Sequence, residues 1–292
     1  MNTIDLLFER IFSPRFRASV ERAILFLAVS GFLIHVTLIF LNHFNWIPEL
    51  GDITLIDNPV HAIYTPFSLV LLYEFYLLIF YIPRSFTTSF LKQCEIIALI
   101  LIRRIFGDFT KVDLALGLEG NTPLQFLMID LIGVVALFFI IYLFNKNRGL
   151  TAETGQSEKM ARFISVKRLT SLILLVVFLS IICYHTTIIV SQVINGNVDL
   201  NWIKGDLNKV FYDDFFTVLI LVDVFILLMS FRISESFHYI MRNTGFVAST
   251  IMFRISFGAE GFLNILVILI GALFSLGILL IYNSSVKAGL SD

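Results

Sequence analysis

Long apolar runs alternate with short polar stretches along this chain, and most runs are long enough to cross a membrane as helices. In the first half they fall at residues 23–44, 64–82, 90–106 and 123–144. In the second half they fall at 169–194, 215–231, 239–256 and 262–282. The third is the least regular. Its uninterrupted apolar core is only residues 96–102, bounded by Lys92 and Glu95 on one side and by Arg103 and Arg104 on the other. Snorkelling of these long side chains toward the two interfaces would let the segment span. Residues 1–22 follow another pattern. Ile4, Leu7, Phe8, Ile11 and Phe12 recur at helical spacing, with Arg10, Arg15, Arg17 and Arg22 around or after them. The spacing predicts an amphipathic helix at the cytoplasmic membrane surface, broken at Pro14.

Composition agrees with the pattern. Hydrophobic residues make up 58% of 292 and charged residues only 15%, with a mean hydropathy of +0.89. A soluble chain would carry about 25% charged residues. A net charge of −1 gives no general attraction to nucleic acid. The two cysteines, Cys94 and Cys183, have no metal or redox spacing and read as reduced thiols in helices. The first apolar run shows no small-residue cleavage site and reads as an uncleaved signal-anchor.

Ionisable residues inside the apolar runs repeat. Glu74, Lys92 and Arg104 in the first half correspond to Asp223, Arg242 and Arg254 in the second. The two acids are 149 residues apart, and one inserted residue aligns both pairs of bases. Leu131-Ile132-Gly133 matches Leu269-Ile270-Gly271, and Val20-Glu21-Arg22 resembles Val166-Lys167-Arg168. A tandem duplication explains this arrangement. It divides the chain into a cytoplasmic amphipathic segment (1–22), a first four-helix unit (23–148), a basic cytoplasmic linker (149–168) and a second four-helix unit (169–292). The expected fold is all-α, an eight-span bundle of two parallel four-helix repeats. Orientation supports that count. With both termini cytoplasmic, 15 of the 21 Lys and Arg residues lie on the inner side. Three spans per half would invert the repeats and place the linker bases opposite the N-terminal arginines.

A family is brought in by the same residues. Tyr73-Glu74-Phe75, the aromatic stretch to Ile82, Leu91-Lys92, the apolar helix ending Ile102-Arg103-Arg104-Ile105, and Thr122-Pro123-Leu124 resemble the phosphate-starvation-inducible PsiE family of bacterial membrane proteins. The likeness covers about residues 20–148. The second half departs from it: Asp223 replaces the Glu, and no proline opens the last helix. The resemblance implies a bacterial inner-membrane location and four helices per unit. It implies little chemistry, because the family name describes when a gene is expressed.

Buried ionisable groups are costly and usually partnered. The expected pairs are Glu74–Arg104 and Asp223–Arg254, with Asp130 able to join the first; its second-half counterpart is Ile268. Closed and dry, such pairs would fix helix packing in a non-enzymatic, structural or stress-linked protein. Facing a hydrated path, they would serve a small-ion or proton-coupled channel or transporter. His35 and His185, at similar depths in the first helix of each unit, leave a haem-binding redox protein as a further alternative; as polar packing contacts they need no cofactor. Gly245/Ser249 and Gly271/Ser275 predict close helix packing. The outer acids Glu49, Asp52, Asp57, Asp199, Asp206, Asp213 and Asp214 are explained by solvation. Gly117 and Gly120 form no phosphate loop, and His43 and His61 offer no metal spacing. No catalytic constellation appears. The expected partners are the lipid bilayer, with a small ion and a homo-oligomer left open.

Overall fold

A computed structural model describes residues 3–44, 62–109, 112, 121–148, 158–194, 207–232, 237–259 and 261–288. Its helices are α1 (Thr3–Ile11), α2 (Pro14–His43), α3 (Tyr64–Tyr81), α4 (Phe86–Phe109), α5 (Thr122–Asn147), α6 (Glu158–Ile194), α7 (Leu207–Phe231), α8 (Phe237–Ser256) and α9 (Phe262–Lys287). No strand occurs among the described residues. Glu49, Asp52, Asp57, His61, Gly117, Gly120, Asp199 and Asp206, and the side chain of Asp213, lie outside the described set.

Local chemistry sets the helix starts. Ser13 caps α2, its Oγ accepting from the Phe16 amide at 3.1 Å, with Pro14 in the first turn. Asn121 does the same for α5, accepting from the Leu124 amide at 3.2 Å ahead of Pro123. Both prolines therefore open helices where no amide proton is needed. Ser85 Oγ accepts from the Thr88 amide at 3.2 Å and starts α4 after a short turn. Several helices begin earlier than the apolar pattern implies, above all α2 at Pro14, α6 at Glu158 and α7 at Leu207. Residues 158–168 are thus helix rather than open linker. Lys, Arg, Met and Ala are good helix formers, and the last glycine of the linker is Gly155.

Neighbouring helices pack in chain order within each half: α2 on α3, α3 on α4, α4 on α5, then α6 on α7, α7 on α8, α8 on α9. The halves meet through α5 on α9, α4 on α8 and α3 on α6. Helices α5 and α9 run in the same direction. Ile265, near the start of α9, packs at Gly133, and Asn283 Nδ2 donates to the Asn147 carbonyl at 2.5 Å near both C-terminal ends. Gly133 permits this approach, since a Cβ there would lie 2.6 Å from Ile265 Cγ2. Ser249 and Ser275 are fully buried, and the Gly245 and Gly271 faces are closely packed as expected.

Among the described residues, five helical stretches are long and apolar enough to cross a membrane: Asp5–His43, Thr122–Asn147, Met160–Ile188, Asp214–Phe231 and Phe262–Lys287; Thr65–Tyr81 is a shorter apolar helix. They make this a chain with a multi-pass membrane character. Helices α4 and α8 fall outside that set because they carry the charges. Yet they have 24 and 20 residues, about 36 and 30 Å at 1.5 Å per residue, comparable to a hydrocarbon core ~30 Å thick. They are also the inner helices. Phe90 of α4 stacks on Phe246 and Phe253 of α8 at 5.1 and 5.8 Å. Large exposed apolar side chains instead crowd α2, α5, α6 and α9, among them Phe26, Ile34, Ile132, Val135, Val176 and Phe274. The charged helices α4 and α8 lie inside together with the apolar α3, whose described side chains are all at least partly buried, while the remaining apolar helices carry the outer surface, the order that a lipid surround favours.

Helix α1 departs from the expected interfacial helix. Phe12 is buried against Tyr76 and Phe80, and Asp5 pairs with Arg168 of α6 at 2.8 Å. Phe8, Ile11 and Phe12 of its apolar stripe therefore face protein, while Leu7 of the same stripe and Leu6 stay exposed.

Candidate functional site

The polar interior is organised around α4, whose charged and amide side chains reach helices on several sides. Arg104 closes on Asp130 of α5 with two parallel bonds, Nε to Oδ2 and Nη2 to Oδ1 (2.6 Å for the latter). Its Nη1 donates to Asn264 Oδ1 of α9 at 2.9 Å. Asn264 Nδ2 in turn donates to the Ser256 carbonyl at the end of α8. One guanidinium thus joins α4, α5 and α9, with every nitrogen engaged. Such a fork matches carboxylate geometry and suits a buried staple.

The expected Glu74–Arg104 pair is not formed. Hairpin register is the reason. Glu74 lies seven residues before Tyr81, the end of α3, and the residue seven past Phe86, the start of α4, is Gln93. Arg104 is 11 residues farther along, about 16 Å by helical rise. Glu74 instead faces the level of Lys92 and Glu95, and both act on it electrostatically. Lys92 closes on Glu95 at 2.5 Å and lies over the Tyr81 ring at 5.4 Å. Glu74 is 7% exposed, and its Oε2 is buried with no hydrogen-bond partner.

Asp223 does not pair with Arg254 either. It accepts from Gln93 Nε2 of α4 at 3.1 Å, with the Thr250 hydroxyl of α8 in reach. Lys167 of α6 supplies the nearby positive charge. This lysine is buried, donates to the Arg84 carbonyl in the α3–α4 turn, and lies over the Phe86 and Phe163 rings. A void of about 10 Å³, lined by Gln93, Asp223 and Thr250 with apolar neighbours, adjoins the carboxylate. That is close to the least volume that holds one water. Arg254 reaches Thr217 Oγ1 at 3.5 Å, nearer the end of its helix.

Arg242 is 6% exposed. Its guanidinium lies between the Tyr239 and Tyr282 rings, 5.0 and 4.6 Å from the centroids. Nε and Nη2 share Asn243 Oδ1, and Nη1 has no partner.

The two histidines occupy matching positions. His35 Nδ1 lies 2.7 Å from Thr65 Oγ1, and His185 Nε2 lies 3.3 Å from Asp214 Oδ2. Each links the first two helices of its half, so each ring has a protein partner. Cys94 is buried, Cys183 is exposed, and neither is bridged. Among the described residues no group of three or more His, Cys, Asp or Glu converges.

Seven positions follow from the charge pattern, and the structure gives them five separate environments. Residues that complete these environments were not singled out: Glu95, Gln93, Thr250, Asn264 and Lys167. Asn264 carries a readable signal, as a lone amide near the start of an apolar helix, where polar residues usually have a partner across helices. Lys167 carried none, because a base ahead of an apolar run reads equally well as an interfacial anchor.

No family model, curated protein or solved structure matches this chain.

Proposed function

We propose that this is a non-enzymatic multi-pass membrane protein of two related four-helix units, crossing the bilayer eight times with both termini cytoplasmic. In this reading α2–α5 and α6–α9 correspond helix by helix. The contacts α4–α8 and α5–α9 support it, because they join equivalent helices, and α5 and α9 run parallel as an even number of spans per unit requires. The matched His35–Thr65 and His185–Asp214 links point the same way. The PsiE resemblance and a bacterial inner-membrane location belong to the same proposal.

The role of the core is to hold the units together. The single observation that carries this is the Arg104–Asp130–Asn264 staple, which is closed, uses every guanidinium nitrogen and crosses from one unit to the other. A specific observation favours a second reading, transfer of protons or a small ion. Glu74 Oε2 has no donor, and Asp223 adjoins a void. A packed structural core normally satisfies its buried polar atoms, and an unpaired carboxylate oxygen is a place for a proton or a water.

Proton and cation flux in proteoliposomes separates the two. Under the structural reading, wild-type protein gives no flux above empty liposomes, and Arg104→Ala lowers stability. Flux that disappears in folded Glu74→Gln or Asp223→Asn protein replaces the structural reading with transfer through the carboxylates.

A further inference from the structure

Among the described residues no acid pairs with the buried cation Arg242, and the repeat offers a reason. Its first-half equivalent, Lys92, is neutralised by Glu95 three residues on, at 2.5 Å. Three residues beyond Arg242 stands Gly245. No acid fits there. A Cβ on Gly245 would meet Ile278 Cδ1 of α9 at 2.1 Å. Close α8–α9 packing has therefore taken the position of the counter-ion.

What remains is a set of donors with little to receive them. Arg242 Nη1 is buried and unpartnered, and so is Nδ1 of the partly buried His238. The two residues are four apart on α8, hence on the same helix face, with Cβ atoms about 5–6 Å apart. His238 belongs to the first turn of α8, where backbone amides are free and the helix dipole is positive. The Tyr239 and Tyr282 rings lie over the guanidinium, and Nη1 at its edge is buried with no hydrogen-bond partner among the described residues. Around this end, Phe237, Ile281 and Val286 are exposed. Arg232 closes α7 and Lys287 closes α9 at the same end. Tyrosines beside bases at a bundle end are typical of a membrane–water interface.

We infer that His238 and Arg242, with the first turn of α8, form a site for a phosphate-type oxyanion, presented by a lipid headgroup or as free phosphate. The oxyanion accepts from Arg242 Nη1 and from His238 Nδ1–H, supplying the negative charge that Glu95 supplies to Lys92. This goes beyond the proposed function and does not depend on whether the core conducts.

The test is thermal unfolding of the full chain in neutral detergent. It is titrated in one arm with phosphatidylglycerol against phosphatidylcholine, and in the other with inorganic phosphate against chloride at equal ionic strength. Saturable stabilisation by phosphatidylglycerol alone identifies a headgroup; stabilisation by inorganic phosphate identifies the free ion. In either arm Arg242→Gln and His238→Gln are expected to weaken the apparent affinity at least about tenfold, and Arg254→Gln to leave it unchanged. Should Arg242→Gln not fold, His238→Gln and Arg242→Lys carry the comparison. Equal responses to the anionic and control additives, or wild-type affinity in the His238 variant, overturn the site.

Discussion

Hairpins α3–α4 and α7–α8 place an acid and two bases at matching positions, but use them differently. In α3–α4, Lys92 closes on Glu95, Arg104 reaches out to α5 and α9, and Glu74 keeps an oxygen without a donor. In α7–α8, Arg242 lies between tyrosine rings, Arg254 turns to Thr217, and Asp223 takes its hydrogen bond from the other half. Similar charge spacing in two hairpins does not fix their pairing, because neighbours differ as soon as one outer helix packs differently. Here α6 also contacts α1 and α3, and Lys167 enters the core from it. One charge pattern then yields a staple from Arg104 in the first half, while its counterparts in the second half each bond to a different neighbour.

The sharpest way to break this comparison is at the second bases. Arg104→Ala leaves Asp130, whose side chain is 2% exposed, without its partner. It is expected to cost roughly 3–5 kcal/mol. Arg254→Ala, at a partly exposed position, is expected to cost about 0–1 kcal/mol. Denaturant titrations in detergent micelles measure both, and equal losses would mean that the halves are equivalent after all.

Next comes the position where the halves differ by Glu95 and Gly245. Gly245→Ala drives a methyl into Ile278 and is expected to destabilise by about 1–3 kcal/mol. Pairing it with Ile278→Val, which removes the clashing Cδ1, should recover most of that loss. Failure of the rescue would show that something other than close α8–α9 contact requires the glycine.

The acids give a smaller contrast. Gln93→Leu removes the donor of Asp223 and is expected to cost about 1–3 kcal/mol. Glu74→Gln removes a charge that has an unsatisfied oxygen, so stability should stay level or rise. A clear loss in the Glu74 variant would reveal a partner for that oxygen. The smallest effect is at α1, where the half-exposed Asp5–Arg168 pair is worth up to about 1 kcal/mol. Asp5→Ala should speed amide exchange in α1 while leaving α4 and α8 protected.

Much of the architecture was legible in the residues. Periods of apolar side chains marked the helices, Pro14 marked the break between the first two, and the recurring charges drew attention to α4 and α8. Which charges meet was less accessible. Glu74 could have been matched to Gln93 rather than Arg104 by counting back through the short turn at 82–85. Asp223–Gln93 could not, because no local rule brings α7 of one half onto α4 of the other. Residues 158–168 were misread as linker for a related reason: bases ahead of an apolar run look alike whether they lie in a loop or in the first turns of a helix.

By itself, the sequence determined that this chain is helical, apolar enough for a membrane, and burdened with ionisable groups at depth. Those properties follow from side-chain transfer energies and helical periodicity, which act over a few residues. Only the tertiary structure decided that the two charged helices lie inside, that Arg104 belongs to Asp130 and Asn264, and that Arg242 meets no acid among the described residues. Pairing of buried charge depends on distances of a few ångströms between helices far apart in the chain. Those distances are set by how whole faces pack, down to a single Cβ that Gly245 lacks.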